Sequence, residues 1–287
     1  MRLINHKGAA SFLRHAGATL AQDEVTNGLM LGLALRLERE PDRFETAPYL
    51  ATVEDGEQLV AAALMTPPHG LVVYGGKANL DPALALIAQD IQDGAWPVPS
   101  VNGRSDVSVA FAQAWQRLTG RAFHVAMALR VFVLHRVTPP QGVPGHLRQA
   151  VADDLDLVEA WTVDFQREAL PDEPGGVVRE QVLRSIEDGK LYLWIDGAPV
   201  SLAGKGRTTA HGVSIGPVYT PPSLRRRGSA SACVAALSQL ILDGGAQFCT
   251  LFTDLANPTS NRIYQMIGYR PVCDFAKYEL AGAKTEA

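Results

Sequence analysis

Apolar and polar residues follow regular patterns through the second half of the chain. Short apolar runs predict strands near residues 191–195, 199–206, 212–220, 248–254 and 272–280. Helical spacing of apolar residues predicts helices over about 152–168 and 178–188. A third helix is predicted after Gly228, where apolar residues recur at i, i+3, i+4 and i+7, and the pair Gly244-Gly245 ends it. This order of elements indicates an α/β domain whose helices pack on a sheet.

The first half of the chain repeats this pattern faintly. In each half an Asp-Gly pair, Asp55-Gly56 or Asp196-Gly197, separates two apolar runs. Such a pair predicts a β-hairpin, because the turn requires a positive φ. Farther along, "AFAQAWQRLTGRAF" parallels "TSNRIYQMIGYRPV", and each predicts a short helix closed by a glycine. We therefore expect two copies of one fold; chance similarity between two α/β domains is the alternative.

A segment rich in proline and glycine lies between the halves. The stretch "VTPPQGVPG", residues 137–145, holds three prolines and two glycines. Such a composition is not typical of a helix or of a central strand. We expect a linker here, and hence one domain at residues 1–137 and another at 143–287.

Composition narrows the class of protein. The 287 residues are 47% hydrophobic and 20% charged, as in a folded soluble protein, and the net charge of −4 disfavours a broad nucleic-acid surface. No C-x-x-C pair occurs, so the three cysteines favour buried thiols in a reducing compartment over a zinc site or a disulfide framework. The N-terminus lacks the apolar run of a signal peptide, and no apolar stretch approaches ~18 residues. We expect a cytoplasmic protein without a membrane span or a metal.

The stretch "LRRRGSASACVAAL", residues 224–237, places three arginines before a glycine and a predicted helix start. Gly228 has no side chain, so the backbone can approach a bound group closely. The helix start offers unpaired N–H groups and the positive end of its dipole, and the arginines add charge-assisted hydrogen bonds. Together these features favour a bound pyrophosphate. The spacing is neither that of a Walker A loop nor that of G-x-G-x-x-G.

Residues 225–230, Arg-Arg-Arg-Gly-Ser-Ala, resemble the Arg/Gln-x-x-Gly-x-Gly/Ala loop that holds the coenzyme A pyrophosphate in the Gcn5-related N-acetyltransferases (GNAT). The strand "GVSIGPVYT" precedes the loop, and "NPTSNRIYQMIGY" resembles the family's second motif, Asn-x-x-Ser/Ala-x-x-x-Tyr-x-x-x-Gly-Tyr/Phe. The resemblance covers about residues 146–280 and looks most like the FR47-like and glycine-N-acyltransferase branch. It implies an α/β (α+β) fold class: two tandem acetyltransferase-like domains, each a mixed, mostly antiparallel central sheet flanked by helices.

The resemblance also implies acetyl-CoA as co-substrate and a set of site residues. The strand end would pair with the pantetheine arm and polarise the thioester carbonyl, the loop would hold the pyrophosphate, and an asparagine would bond the pantetheine from the far side. These positions are Val218, Tyr219, Thr220, Arg225, Arg226, Arg227, Gly228, Ser229, Ala230 and Asn257. Tyr264 occupies the general-acid position and would protonate the departing thiolate. The alternatives are that Arg225 is a solvated charge, that Asn257 only caps its helix, and that Tyr264 is an ordinary half-buried tyrosine.

Two features depart from the family pattern. Many members carry a glutamate base on the strand before the loop, whereas "TTAHGVSIGPVYT" holds no acid. The base is therefore open between water and the side chains of His211, Ser214, Glu168 and Glu173. In the first half, "GLVVYGGKANLDPALALIAQDI" leads to no arginine loop, and Trp115 lies near the position that matches Tyr264. We expect residues 1–137 to be a degenerate copy that either shapes the substrate pocket or only supports the second domain.

The predicted function is transfer of an acetyl group from acetyl-CoA to an amine, by direct attack on the thioester, in domain 143–287. A coenzyme A-binding sensor or scaffold without turnover is the alternative, and a longer acyl donor is a third possibility. The acceptor is expected to be a small-molecule or peptide amine, and net acidity favours a cationic or neutral one. Neither nucleic acid nor a membrane is an expected partner, and a homodimer stays open.

Overall fold

The computed structural model describes residues 1–41, 46–171 and 176–281. The helices within these ranges are α1 (Ala9–Ala21), α2 (Glu24–Arg39), α3 (Leu80–Asp93), α4 (Ser105–Thr119), α5 (Leu155–Ala169), α6 (Arg179–Glu187), α7 (Ser229–Asp243) and α8 (Pro258–Ile267). The strands are β1 (Arg2–Asn5), β2 (Tyr49–Asp55), β3 (Gln58–Met65), β4 (Leu71–Gly75), β5 (Ser100–Arg104), β6 (Phe123–Leu134), β7 (His146–Gln149), β8 (Leu191–Asp196), β9 (Ala198–Thr208), β10 (Gly212–Tyr219), β11 (Phe248–Asp254) and β12 (Arg270–Leu280).

The elements follow one order twice along the chain. The series β1, α1, α2, β2, β3, β4, α3, β5, α4, β6 is repeated as β7, α5, α6, β8, β9, β10, α7, β11, α8, β12. Pairing repeats as well: β1 to β4 are joined antiparallel and β4 pairs parallel with β5, just as β7 to β10 are joined antiparallel and β10 pairs parallel with β11. A crossover helix, α3 or α7, connects each parallel pair, as parallel pairing requires. The expected fold class, tandem domains with mixed, mostly antiparallel sheets, is confirmed.

The chain folds into two compact units. Unit 1 holds Met1–Val131, Asp254–Ala256 and the described residues from Val272 onwards, and unit 2 holds Phe132–Thr253 and Asn257–Pro271. Within unit 1 the last strand, β12, pairs antiparallel with β5.

This division differs from the expected domain boundaries. The proline-rich segment 137–145 lies inside unit 2 and holds no helix or strand before β7 begins. The residues of β12 from Val272 onwards belong to unit 1, where residues 275–279 pair with β5. That the second half of the chain carries the activity stays a prediction.

Apolar clusters cover both faces of the sheet in each unit. In unit 2, α7 and α8 bury Cys233, Leu237 and Ile267 against one face. On the other face α5 and α6 bury Trp161 and Ile186. Burial of such side chains stabilises by about 1.5–3 kcal/mol each. The helical patterns read from the sequence therefore correspond to the faces that pack on the strands.

The turns that the sequence predicts are present. Gly56 and Gly197 adopt φ of +64° and +70° in the two hairpins, and Gly120 and Gly268 follow the last residues of α4 and α8. The three cysteines are unpaired. Within the described residues, no group of histidine, cysteine and acidic side chains is placed to hold a metal ion, and no helix of that part of the chain is long and apolar enough to span a bilayer.

Candidate active site

The parallel pair β10–β11 separates after three residues. Residues 212–214 of β10 pair with residues 248–250 of β11, and no further pair joins the two strands within the described residues. On its other side, β10 stays paired with β9 up to Tyr219, with two register shifts on the way. Residues 215–219 therefore lie outside the ladder with β11. An extended ligand arm can bond to backbone groups of such a strand, and the predicted contact Val218 lies in this stretch.

A buried pair of hydroxyls fixes the end of β10. The Ser201 Oγ lies 2.8 Å from the Thr220 Oγ1 and donates to the Tyr219 carbonyl oxygen at 3.2 Å. Ser201 is fully buried and Thr220 nearly so. These bonds hold the strand where it enters the arginine loop. Ser201 was not predicted from the sequence, because a serine on an apolar strand carries no signal of its partner.

The arginine loop makes a tight turn into α7. After a 3-10 turn at Pro222–Leu224, Arg226 adopts φ +64° and Gly228 adopts φ +83°. A Cβ on Gly228 would lie 2.8 Å from a methyl group of Val143, so both the backbone and the available space require glycine here. Gly228 is the N-cap of α7 and provides no capping side chain. The first-turn N–H groups of a helix have no intrahelical partner, so this turn fits an anion such as the coenzyme pyrophosphate.

The three arginines differ in what they contact. Arg225 donates through Nε to the Thr220 carbonyl oxygen at 2.8 Å, and its Nη2 lies 2.6 Å from the Glu168 Oε2. Arg227 donates to the Ser223 carbonyl oxygen at 3.3 Å. Arg226 and Arg227 are exposed beside the start of α7. Arg225 is therefore part of an ion pair rather than only a solvated charge.

Two carboxylates of α5 reach the end of β10. The Tyr219 hydroxyl lies 3.3 Å from the Asp164 Oδ2 and 3.5 Å from the Glu168 Oε1, and the Arg225 guanidinium lies 5.7 Å from the centre of the Tyr219 ring. Burial, and then these carboxylates, raise the pKa of Tyr219. Asp164 was not predicted as a site residue from the sequence. Its spacing of four from Glu168 on a predicted helix is the signal that both carboxylates lie on one face.

Helix α8 carries the other two predicted residues. The Asn257 Oδ1 accepts from the Ser260 backbone N–H at 3.0 Å and so caps the helix, with Pro258 at its first position. Tyr264 is half-buried against the apolar core. Burial raises the pKa of Tyr264 to about 12, so its hydroxyl keeps its proton at neutral pH and can act as a donor.

The structure separates the candidates for the general base. Glu168 lies beside Tyr219 at the strand end, whereas His211 is exposed and precedes the opposite end of β10. At about 3.3 Å per residue, roughly 30 Å of strand separates His211 from Thr220. The Ser214 Oγ accepts a hydrogen bond from the Arg207 backbone N–H at 2.7 Å. This bond links β10 to β9 where the pairing of the two strands is irregular. Glu173 lies outside the described residues. The identity of the base stays a prediction.

Unit 1 has a different set of residues at the matching positions. There α3 begins at Leu80 after Asn79, whose φ is +56°, and the loop before it carries Lys77 in place of the arginines. Leu80 packs against Gly75. The buried Trp115 indole N–H has no hydrogen-bond partner in the described part of the chain. These side chains provide neither the clustered positive charge nor the phenol of unit 2.

Comparisons with known proteins agree with this architecture. Residues 195–278 match the family described as FR47-like protein. No curated protein matches the chain in sequence. A Drosophila protein of known structure is similar with a TM-score of 0.72 and 13% identity, over 98% of this chain and 99% of its own.

Two further structures carry acetyltransferase names. A GCN5-related N-acetyltransferase from Sphaerobacter thermophilus is similar with a TM-score of 0.62 and 18% identity, over 97% of this chain and 95% of its own. A tandem GNAT protein from the clavulanic acid biosynthesis pathway is similar with a TM-score of 0.57 and 12% identity, over 100% and 99%. At these identities the likeness shows the fold alone. The chain has the GNAT fold in tandem form, its residues 195–278 carry the FR47-like sequence pattern, and the resemblance read from the sequence is confirmed.

Proposed function

We propose that this protein transfers an acetyl group from acetyl-CoA to an amine, and that unit 2 carries the reaction. The observation that carries the proposal is the junction of β10 and α7. There a strand leaves its parallel neighbour, and a turn with two exposed arginines and a glycine N-cap begins a helix. The free edge of the strand suits an extended ligand arm, and the turn at the helix start suits the pyrophosphate in which that arm ends.

Each part of the coenzyme has a partner in this proposal. Arg226, Arg227 and the N–H groups of residues 229–231 hold the pyrophosphate, while backbone groups of residues 218–220 pair with the pantetheine arm. Asn257 caps α8 through its Oδ1, and its amide nitrogen serves the pantetheine, so it has both roles. Arg225 stays bound to Thr220 and Glu168.

The chemistry then needs two proton transfers. The bound coenzyme supplies an activated acetyl group. The amine nitrogen attacks the thioester carbonyl carbon, and a backbone N–H at the strand end stabilises the charge that develops on the carbonyl oxygen. As the carbon–sulfur bond breaks, the Tyr264 hydroxyl gives its proton to the sulfur, and a base or water accepts the proton that the amine loses.

The test is a thiol-release assay with acetyl-CoA across amines, amino acids, aminoglycosides and peptides. Release with at least one amine class, and its loss on substitution of Tyr264, supports the proposal. One observation favours a second function, a coenzyme A-binding sensor: Glu168, the acidic candidate at the strand end, is ion-paired with Arg225. Coenzyme binding without turnover on any amine would support the sensor. The unpaired cysteines support the accompanying proposal of a cytoplasmic location.

A further inference from the structure

The Arg225 side chain joins the arginine loop to two elements of unit 2, β10 and α5. Its Nε donates to the Thr220 carbonyl oxygen at the end of β10, and its Nη2 meets the Glu168 carboxylate on the last turn of α5. Its guanidinium also lies over the Tyr219 ring. Through this one residue, the helix α5 holds the backbone at the entry to the arginine loop.

The loop needs such a hold. Arg226, the next residue, adopts a left-handed φ of +64° although it has a side chain, and Gly228 adopts φ +83° two residues later. A residue other than glycine keeps a left-handed conformation only where surrounding contacts determine it. The contacts of Arg225 precede this turn directly. They are therefore placed to keep the loop in the conformation that begins α7.

We propose that Glu168 is a positioning residue for the coenzyme loop: its carboxylate holds the Arg225 guanidinium on the Thr220 carbonyl oxygen and so keeps the turn at residues 226–228 in the conformation that accepts a pyrophosphate. The part of this inference that concerns coenzyme binding rests on the proposed function. It assigns Glu168 a role in coenzyme affinity instead of proton removal from the amine. The two roles predict different kinetics, since loss of a positioning contact weakens coenzyme binding, whereas loss of a base lowers kcat.

The first experiment measures the loop without coenzyme. Hydrogen–deuterium exchange of the full-length protein should rise at residues 223–228 in Glu168→Gln and Arg225→Gln, because each substitution breaks the same link. Asp164→Asn is the matched control: Asp164 lies on the same face of α5 and contacts Tyr219, and its ion pair is with Arg167. Unchanged exchange in Glu168→Gln, or an equal rise in Asp164→Asn, would overturn the positioning role.

The second experiment measures coenzyme affinity by calorimetry with acetyl-CoA. Both partners of the pair are partly exposed, so Glu168→Gln should weaken binding by about three- to tenfold. Arg225→Gln should give a similar loss, and the double variant should lose no more than the larger single loss, since both changes remove one link. Additive losses, or a fall in kcat at saturating acetyl-CoA with unchanged affinity, would contradict the inference. Failure of the wild-type protein to bind acetyl-CoA would overturn the proposed function instead, and the exchange experiment would still decide whether Glu168 orders the loop.

Discussion

The Tyr264 and Tyr269 rings meet nearly edge to face, with centroids 5.9 Å apart and planes at 67°. Tyr269 is 2% exposed, and its hydroxyl lies 2.8 Å from the Ser238 Oγ. Tyr264 is only half-buried. The two tyrosines of "IYQMIGY" therefore differ in their surroundings. The Tyr269 hydroxyl is hydrogen-bonded inside the core, whereas Tyr264 lies at the margin of the core, where its hydroxyl can donate a proton.

Replacement of Tyr264 by phenylalanine should remove that donor and keep the ring packing. We expect kcat of Tyr264→Phe to fall by roughly 10²–10⁴, with coenzyme affinity nearly unchanged, because general-acid catalysis contributes about this much. Steady-state kinetics and calorimetry check both parts. Tyr269→Phe is the control, since it should lower stability by about 1 kcal/mol through its lost hydrogen bond and leave kcat near that of the wild type. A Tyr264→Phe enzyme as fast as the wild type, with chemistry rate-limiting, would remove Tyr264 from the mechanism.

The pH dependence of the rate offers a separate test. Burial raises the pKa of Tyr264 from its ordinary value of 10.0 to about 12, so the phenol loses its proton only as the pH rises through about 12. The rate of the chemical step should therefore show no decline near pH 10 that depends on Tyr264. Comparison of the kcat profiles of wild type and Tyr264→Phe measures this. A decline near pH 10 in the wild type alone would show an unshifted phenol.

The elements that form the site follow closely from the sequence. The start of α7 at Ser229 and that of α8 at Pro258 were predicted from local signals, a glycine with small neighbours and an Asn-Pro cap. Strand β10 was predicted within one residue of its end at Tyr219. Local signals succeed here because the caps and turns are made by the residues that the pattern contains.

Contacts between distant residues did not follow from the sequence. Glu168 and Arg225 are separated by 57 positions, and no pattern in the sequence around either residue indicates that the two form a pair. The pairing of β12 with β5 in unit 1 is also invisible in the local pattern, which places β12 after α8 in the second copy. The helices α1 and α2 were not assigned. Pairings of this kind depend on how the whole chain folds, which a repeat pattern does not specify.

The N-cap position of α7 should tolerate no side chain when coenzyme binds. Gly228→Ala forces an alanine to hold φ near +83° beside Val143, at a cost of about 1–2 kcal/mol. If the loop relaxes to avoid this cost, acetyl-CoA should bind about tenfold more weakly. Gly245→Ala is the control, because Gly245 has φ +100° after the opposite end of α7 with open space around it. Both variants should lose stability in thermal unfolding, with the larger loss in Gly228→Ala because of Val143. Only Gly228→Ala should lose affinity; equal affinities would show that the loop does not hold the coenzyme.

A buried histidine in unit 1 should make stability depend on pH. The His6 side chain is 7% exposed, with its Nε2 2.9 Å from the Thr52 Oγ1 and its Nδ1 3.1 Å from the Ser11 Oγ. The His15 ring lies 4.9 Å away. Both imidazole nitrogens of His6 are bonded to hydroxyls, so the neutral ring is satisfied where it lies.

Burial, followed by the neighbouring His15, lowers the pKa of His6; the Arg14 charge acts in the same direction and the Glu54 charge opposes them. As the pH falls below the ordinary value of 6.5, the unfolded chain takes up a proton that the folded chain does not. The free energy of unfolding should therefore decrease from about pH 6.5 downwards, by at most about 1.4 kcal/mol per pH unit from this group. His6→Gln should reduce that slope in urea titrations carried out across this pH range. Equal slopes in wild type and His6→Gln would contradict the prediction.

The two units should differ in coenzyme binding, and the number of acetyl-CoA molecules bound per chain measures this difference. A phosphate at the start of α3 would meet Lys77 and the apolar Leu80 rather than a cluster of arginines, and an anion without compensating charge is costly to desolvate. We therefore expect one acetyl-CoA per chain in calorimetry. In the double variant Arg226→Gln with Arg227→Gln, binding should weaken by at least about tenfold, since two charge-assisted bonds are lost. Because the single site expected per chain is the one that the double variant weakens, no tight acetyl-CoA binding should remain. Two equivalent sites in the wild type, or one undiminished site in the double variant, would place a coenzyme in unit 1 and contradict its assignment as the degenerate copy.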